Sequence, residues 1–379
     1  MHTIHAPLAN EAPPQAAIAT PVRVLVVDDS VVIRRILSRL ISDDPALEVI
    51  GFAANGSGAL GQAARLQPDV ITMDVEMPEM DGLAAVRALR AQGCAAAIIM
   101  CSTLTSRGAR ATIDALMYGA DDYVTKTSNI STMGDPVEAL RRELLPKIKQ
   151  FGTHRKLRKP LQAASSASST AFVPPRIASP MIKTPGIVTP SVVAIGISTG
   201  GPAALLDLLP RFPREFRLPI VIVQHMPPVF TRQLAERLNE VSQIEVLEGC
   251  EGMQLQPGRV LLAPGDLHMR LSKTGDVVTT RLDQGERENS CRPSVDVLFH
   301  SVAEVYGGHV IGVILTGMGQ DGLRGVERLK QRGAHIIAQD RESSVVWGMP
   351  GAVVNAGFAD HVVALEGVGP AILERVAIR

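Results

Sequence analysis

The sequence predicts two α/β domains, each a doubly wound parallel sheet, joined by a flexible linker. Three observations predict it. Short apolar, β-branched runs alternate with helix-period segments twice along the chain. Polar residues able to do chemistry collect just past the carboxyl ends of those runs. Between the two alternating regions lies a stretch rich in basic residues, Ala, Ser, Thr and Pro with no period. The expected boundaries are a disordered extension at 1–20, a first domain at 21–150, a linker at 151–190 and a second domain at 191–379.

In the first domain the run at 22–27 is continuously apolar, as in a buried parallel strand. Ser30 can cap a helix reaching Ile41. Strands follow at 47–53, 70–73, 97–101 and 122–125, with helices at 59–66, 82–91, 107–118 and 136–150. In the second domain the run at 192–197 turns sharply through glycines into a helix at 203–209. Strands are expected at 219–223, 245–247, 259–262, 277–282, 310–315 and 335–338, with a hairpin-rich insert around the strands at 259–262 and 277–282. Helices are expected at 229–241, 294–306, 322–331 and 369–377.

Composition narrows the classes. The chain has 379 residues, enough for two or three domains, and 46% of them are apolar. Its 38 basic residues balance 38 acidic ones, which argues against general nucleic-acid binding. Four scattered cysteines make neither a disulfide framework nor a zinc motif and fit a reducing cytosol. No run is long enough for a membrane span and no signal peptide is read, so a cytoplasmic location without membrane insertion is expected.

At the first domain's rim, Asp28 and Asp29 follow the first strand and Asp74 ends the third. Ser102 follows the fourth and Lys126 the fifth. Three carboxylates and a lysine at one edge suit a hard divalent cation such as Mg²⁺ beside an anion. A carboxylate in that setting can attack a phosphoryl group and become an acyl phosphate.

In the second domain Gly196-Ile197-Ser198-Thr199-Gly200 places one hydroxyl on a strand-to-helix turn, next to unpaired N–H groups that can hold an oxyanion. Alone, the motif fits a phosphate-binding or structural turn as well. Ser198, His225 and Asp321 each lie just past an apolar strand, so neighbouring strands could bring them to one rim. A serine needs a base, and a histidine base needs a carboxylate to set its tautomer. Five other histidines compete with His225, and Asp266, Asp296 and Asp340 compete with Asp321. Asp321 is favoured because Gly317, Gly319 and Gly322 surround it. His268, in a Pro-Gly turn, is expected to have a lesser role in substrate contact. Cys291 is a candidate nucleophile but reads as a plain small residue.

The motifs VLVVDDS, MDVEMPEMDGL, IIMCSTLT and DDYVTKT resemble those of response-regulator receiver domains, which are flavodoxin-like. The resemblance implies Asp74 as phosphoacceptor and Asp28, Asp29 and the Glu76 carbonyl around the metal. It implies Ser102 and Lys126 on the phosphoryl group and Tyr123 as the mobile aromatic. Thr127 departs from the usual proline after the lysine. GISTGGP, QHMPPVF, APGDLHM, RPSVDVLF, LTGMGQDG and WGMPGAV resemble the catalytic domain of chemotaxis protein-glutamate methylesterases. That resemblance implies Ser198 as nucleophile, His225 as base, Asp321 as its orienting carboxylate and the Met318 N–H in an oxyanion hole, with no cofactor. It also implies demethylation of glutamate γ-methyl esters and deamidation of glutamines on chemotaxis receptors. A chemotaxis histidine kinase would be the phosphodonor. The alternative is a response regulator whose second domain only binds a partner. A DNA-binding output would need a basic recognition helix. The nearest cluster is Arg324, Arg328, Lys330 and Arg332.

Overall fold

The computed structural model describes residues 20–126, 136–164 and 189–377. Nearly all of the expected N-terminal extension, Thr127 and most of the expected linker lie outside the described residues.

The first domain runs β1 Val22–Val27, α1 Val31–Ser42, β2 Leu47–Ala53, α2 Gly56–Leu66, β3 Val70–Asp74, α3 Gly82–Ala91, β4 Ala97–Thr103, α4 Ser106–Met117, β5 Asp122–Lys126 and α5 Pro136–Ala164. Its 5-stranded sheet has the order β2-β1-β3-β4-β5 and is parallel throughout. The chain steps outward from β1 to β2, then crosses back to β3. The switch point therefore lies between β1 and β3, whose carboxyl ends carry Asp28 and Asp74. Ser30 caps α1, its hydroxyl accepting the Ile33 N–H at 3.4 Å.

Helix α5 extends beyond its expected end at Gln150 to Ala164, into the expected linker. Phe151 is buried in the cluster that holds Val22 and Val24. A Cβ on Gly152 would stand 2.3 Å from Val22 Cγ1, so that turn is packed on β1. The basic run that follows is rich in Arg, Lys, Leu, Gln and Ala, all good helix formers, and continues the helix.

The second domain opens with β6 Val192–Ile197, α6 Gly201–Leu208, β7 Ile220–Gln224, α7 Pro228–Val241, β8 Glu245–Glu248, β9 Arg259–Leu262, β10 His268–Thr274 and β11 Val277–Asp283. It continues with α8 Val295–Tyr306, β12 Val310–Ile314, α9 Leu323–Gln331, β13 His335–Gln339, α10 Met349–Asn355, β14 His361–Val363 and α11 Leu365–Ala377. Its 7-stranded sheet has the order β14-β13-β12-β6-β7-β9-β8, again all parallel. β10 and β11 form a separate antiparallel hairpin. Three elements were not expected. β10 begins inside a motif that reads as a turn. α10 is too short for a helical period, and β14 is a three-residue edge strand.

The sheet is covered on both faces, as a fully parallel sheet requires. Val193, Ile195 and Ile197 of β6 face a core with Leu205, Phe230, Leu234 and Ile372. Val192 and Ala194 face the opposite core with Val295, Phe299, Val326 and Met349. The first core is continuous with that of the first domain through Ile113, Leu116 and Tyr123. There α4 packs against α7.

Candidate functional site

Three neighbouring strands, β12, β6 and β7, end at one rim. β6 is the first strand of this domain, from which the chain steps first toward β7 and later crosses to β12, so its carboxyl end is the switch point. The register pairs Ile197 with Gln224, which sets Ser198 across from His225. Asp321 follows β12, and its Oδ2 lies 2.8 Å from His225 Nε2. The structure thus bonds two of the expected groups, His225 and Asp321, and sets the third, Ser198, at the neighbouring strand end.

Local backbone holds the turn. The Ser198 N–H donates to the Thr316 carbonyl at 2.9 Å, and its own carbonyl accepts from Gly201 N–H at 2.8 Å. The N-cap of α6 is Gly200 at φ +76°, a conformation that side chains disfavour. The facing loop is tied down as well. Thr316 Oγ1 donates to the Thr199 carbonyl at 2.9 Å, and Gly317 N–H donates to Val346 at 2.9 Å. A Cβ on Gly317 would sit 2.8 Å from Ser198 Cβ, so this loop touches the candidate nucleophile. Met318, next along it, is 40% exposed.

Asp321 is only 2% exposed, so its carboxylate must be satisfied within the protein. It accepts from Asn289 Nδ2 (2.8 Å), Ser294 Oγ (2.8 Å), Val295 N–H (2.7 Å), Asp296 N–H (3.2 Å) and Gly322 N–H (3.1 Å). Two of these donors are the free N–H groups at the start of α8, where the helix dipole favours an anion. Helix α8 comes this close because β6 has Gly196 there; a Cβ would lie 2.4 Å from Val295 Cγ1. Burial raises the Asp321 carboxyl, but His225 and the Val295 and Ser294 bonds outweigh it and pull the pKa to about 2.

Burial likewise works against charge on His225, yet the bond to Asp321 and the contact with Cys291 raise its pKa to about 10. The conjugate acid is therefore the neutral-pH form, and a base is available only in the deprotonated fraction. For His225 in its expected role as base, the expected result is a kcat/KM that climbs about tenfold per pH unit from neutrality toward that pKa, once the background reaction is subtracted. A profile flat from pH 6 upward would show that no group with a raised pKa governs the reaction. Cys291→Ala removes one of the contacts that raise His225, so its ascending limb should move to lower pH.

Cys291 corrects an expectation. In sequence it reads as a plain small residue, but in space its Sγ lies 3.7 Å from His225 Nδ1. Asn289 and Ser294 carry no sequence signal that points them to Asp321; Ser294 reads only as the first residue of the helix expected at 294–306. Asp296, weighed as a rival to Asp321, lies beside it and accepts instead from Gly325 N–H and Asn289. His268 is buried, its ring bonded to the Glu286 carbonyl, which leaves no surface for substrate contact. On α9, Arg324 and Lys330 pair with Glu288 and Asp360.

The first domain's rim gathers its own cluster. One carboxylate oxygen from each of Asp28, Asp29 and Asp74 lies within 4.8 Å of the others, a hard oxygen set that fits Mg²⁺. Lys126 Nζ stands 2.6 Å from both Asp28 Oδ2 and Asp74 Oδ1. Burial pushes Asp74 upward, with Asp28 adding to it and Lys126 opposing. Ser102 is fully buried and lies within β4, one residue past the pairing of Cys101 with Asp74. Glu76 is exposed, its side chain 3.5 Å from Arg107. Tyr123 is buried and stacked on Phe230 of α7, with ring centroids 4.6 Å apart at 11°. Lys147 donates to the Tyr123 carbonyl.

A family model described as CheB methylesterase matches residues 193–372, and one described as response regulator receiver domain matches residues 24–138. The protein-glutamate methylesterase/protein-glutamine glutaminase of Nocardioides sp. is 48% identical over 356 residues, covering 94% of this chain and 96% of that protein. The protein of the same description from Trichodesmium erythraeum is 46% identical over 356 residues, covering 93% of this chain and 99% of the other. Among solved structures, the Thermotoga maritima CheB methylesterase catalytic domain aligns at 43% identity with a TM-score of 0.48, covering 49% of this chain and 99% of that one. Among the described residues no helix is long and apolar enough to cross a membrane.

Proposed function

Because the chain belongs to the protein-glutamate methylesterase/protein-glutamine glutaminase family and carries a response-regulator receiver, we propose that Ser198, His225 and Asp321 perform its hydrolysis under the control of phosphorylation at Asp74. The protein is a carboxylic ester hydrolase of chemotaxis signalling, a protein-glutamate methylesterase and protein-glutamine glutaminase. The observation that carries the residue assignment is the meeting of three strand ends, with Asp321 bonded to His225 at 2.8 Å.

In this mechanism the Asp321 carboxylate accepts from Nε2 and leaves the Nδ1 lone pair as the base. Nδ1 takes the Ser198 proton as Oγ attacks the γ-carbonyl of a methylated glutamate. The oxyanion forms beside the loop that touches Ser198, where the Met318 N–H is the proposed donor. The imidazolium returns the proton to the departing methoxide, and methanol leaves. Water, deprotonated by the same nitrogen, then frees the acyl-enzyme; with a glutamine side chain, ammonia leaves instead. Substrates would be the cytoplasmic helices of chemotaxis receptors, so the enzyme would work in the cytoplasm. Methanol release from methylated receptor tests the activity directly.

On the receiver, Asp28, Asp29, Asp74 and the Glu76 carbonyl would hold Mg²⁺, which when bound supplies charge neutralisation for phosphoryl transfer. Asp74 is the proposed acceptor of a phosphoryl group from a chemotaxis histidine kinase, with Ser102 and Lys126 contacting the phosphoryl oxygens. The receiver rests on α7, whose first turn lies three residues past His225, and Arg237 of α7 reaches within 3.6 Å of Asp114 on α4. Docked so close to the rim, it would hinder a bulky helical substrate. Acyl phosphate at Asp74 would draw in Ser102 and Lys126 and reorient Tyr123, undoing its stack on Phe230. With Mg²⁺ and a small phosphodonor, methanol release should rise roughly 5–150-fold, and Asp74→Asn should abolish the response. The separate segment 191–379 should outperform the unphosphorylated whole chain; a segment no faster would leave inhibition by docking without support.

A further inference from the structure

The contact between Cys291 and His225 has a metric of its own. A tetrahedral Zn²⁺ with Zn–S of about 2.3 Å and Zn–N of about 2.0–2.1 Å holds those two ligands roughly 3.6 Å apart. Cys291 Sγ and His225 Nδ1 stand 3.7 Å apart. Across the ring, Nε2 is bonded to Asp321 Oδ2 at 2.8 Å. Carboxylate, imidazole and soft ligand thus stand in the order typical of metal-bound histidines, in which the carboxylate fixes the tautomer and strengthens the nitrogen as a ligand. One ligand atom each from His225, Cys291 and Asp321 lies within 4.8 Å of the others.

The thiol is held in place rather than on a loose loop. Cys291 exchanges backbone hydrogen bonds with Glu288, at 2.8 and 3.2 Å. The tight turn between them has Asn289 and Ser290 both at positive φ, 51° and 64°, which non-glycine residues adopt rarely. The Asn289 side chain anchors that turn to Asp321 and Asp296, each at 2.8 Å. Arg292, the next residue on, is clamped to Asp266 at 2.8 Å. Cys291 is only half-buried and unbridged, so an ion can reach it.

We propose that Cys291 and His225 Nδ1 form a binding site for a soft divalent cation, of which Zn²⁺ is the type, and that its occupation reversibly stops hydrolysis. The thiol proton and the imidazolium's Nδ1 proton both leave to solvent as the Zn–S and Zn–N bonds form, Nδ1 donates the freed lone pair to the metal, and water completes the coordination. The inhibition rests on reading His225 as the base: the lone pair given to the metal is the one that must accept the Ser198 proton.

The test uses the full-length protein in excess Mg²⁺, which fills the receiver carboxylates. Co²⁺ serves as a spectroscopic probe and Zn²⁺ as the inhibitor, each protein being compared with its own metal-free rate. The unaltered protein should show a thiolate-to-cobalt charge-transfer band and lose methanol release in Zn²⁺, with recovery on adding a chelator. Cys291→Ser should lack the band and need a Zn²⁺ concentration roughly 10–100-fold higher for the same inhibition. Ser198→Ala should keep the band. No band in the unaltered protein, or equal zinc sensitivity in Cys291→Ser, would overturn the site and leave the base assignment standing. A band with hydrolysis unaffected by Zn²⁺ would instead overturn the inhibition, and the fault would then lie with His225 as base.

Discussion

Ser198→Ala is expected to lower turnover by about 10⁴-fold or more, because groups that act as one unit fail together. The fold should survive. Ser198 is held by its backbone: its N–H donates to Thr316, and its carbonyl accepts from Gly201 and from Gln224 Nε2 at 3.0 Å. Alanine keeps every one of these bonds and fits the same turn. Steady-state methanol release, with a melting curve beside it, checks both halves. A folded Ser198→Ala protein with near-normal turnover would remove Ser198 from the mechanism. Residual activity that a thiol-modifying reagent abolishes would point to Cys291 as the substitute nucleophile.

Asp321→Asn should cost a similar factor, about 10⁴ in kcat, by presenting the wrong hydrogen-bond partner to the imidazole. The Asp321 carboxylate accepts from His225 and from two N–H groups at the start of α8. An amide replaces one of its oxygens with a donor, so a donor must face a donor, or Nε2 must give up its proton. In the second case Nδ1 carries the proton and cannot act as base. An unsatisfied buried donor costs about 1–3 kcal/mol, so the melting temperature should fall as well. Both effects arise from one carboxylate, whereas Asp340→Asn, a change at a weighed rival, should leave kcat near normal. Equal rates for Asp321→Asn and the unaltered enzyme would make Asp321 a structural helix cap and nothing more.

Much of this was legible in local chemistry. Continuous apolar runs marked the buried strands, and Ser30 and Ser294 marked helix starts that the structure keeps. The strand-end rule put Asp28, Asp74, Ser198, His225 and Asp321 at their rims. It missed β10, α10 and β14, whose lengths or positions carry no clear period. It also ended α5 too early, because a basic Ala- and Leu-containing run lacks an apolar stripe yet is made of good helix formers.

By itself, then, the sequence determined the alternation of strands and helices, the two-domain order and the residue types at each strand end. Those follow from solvent transfer and backbone propensity, which act over a few neighbouring residues. Only the tertiary structure decided which of those ends meet. His225 and Asp321 are 96 positions apart, and His225 and Cys291 are 66 apart. Their contacts depend on sheet order, on the strand register and on a glycine in β6 that admits α8. The stack of Tyr123 on Phe230 depends on how one domain's helix packs on the other's. Such contacts are set by side-chain shape across the whole core, and no local period encodes them.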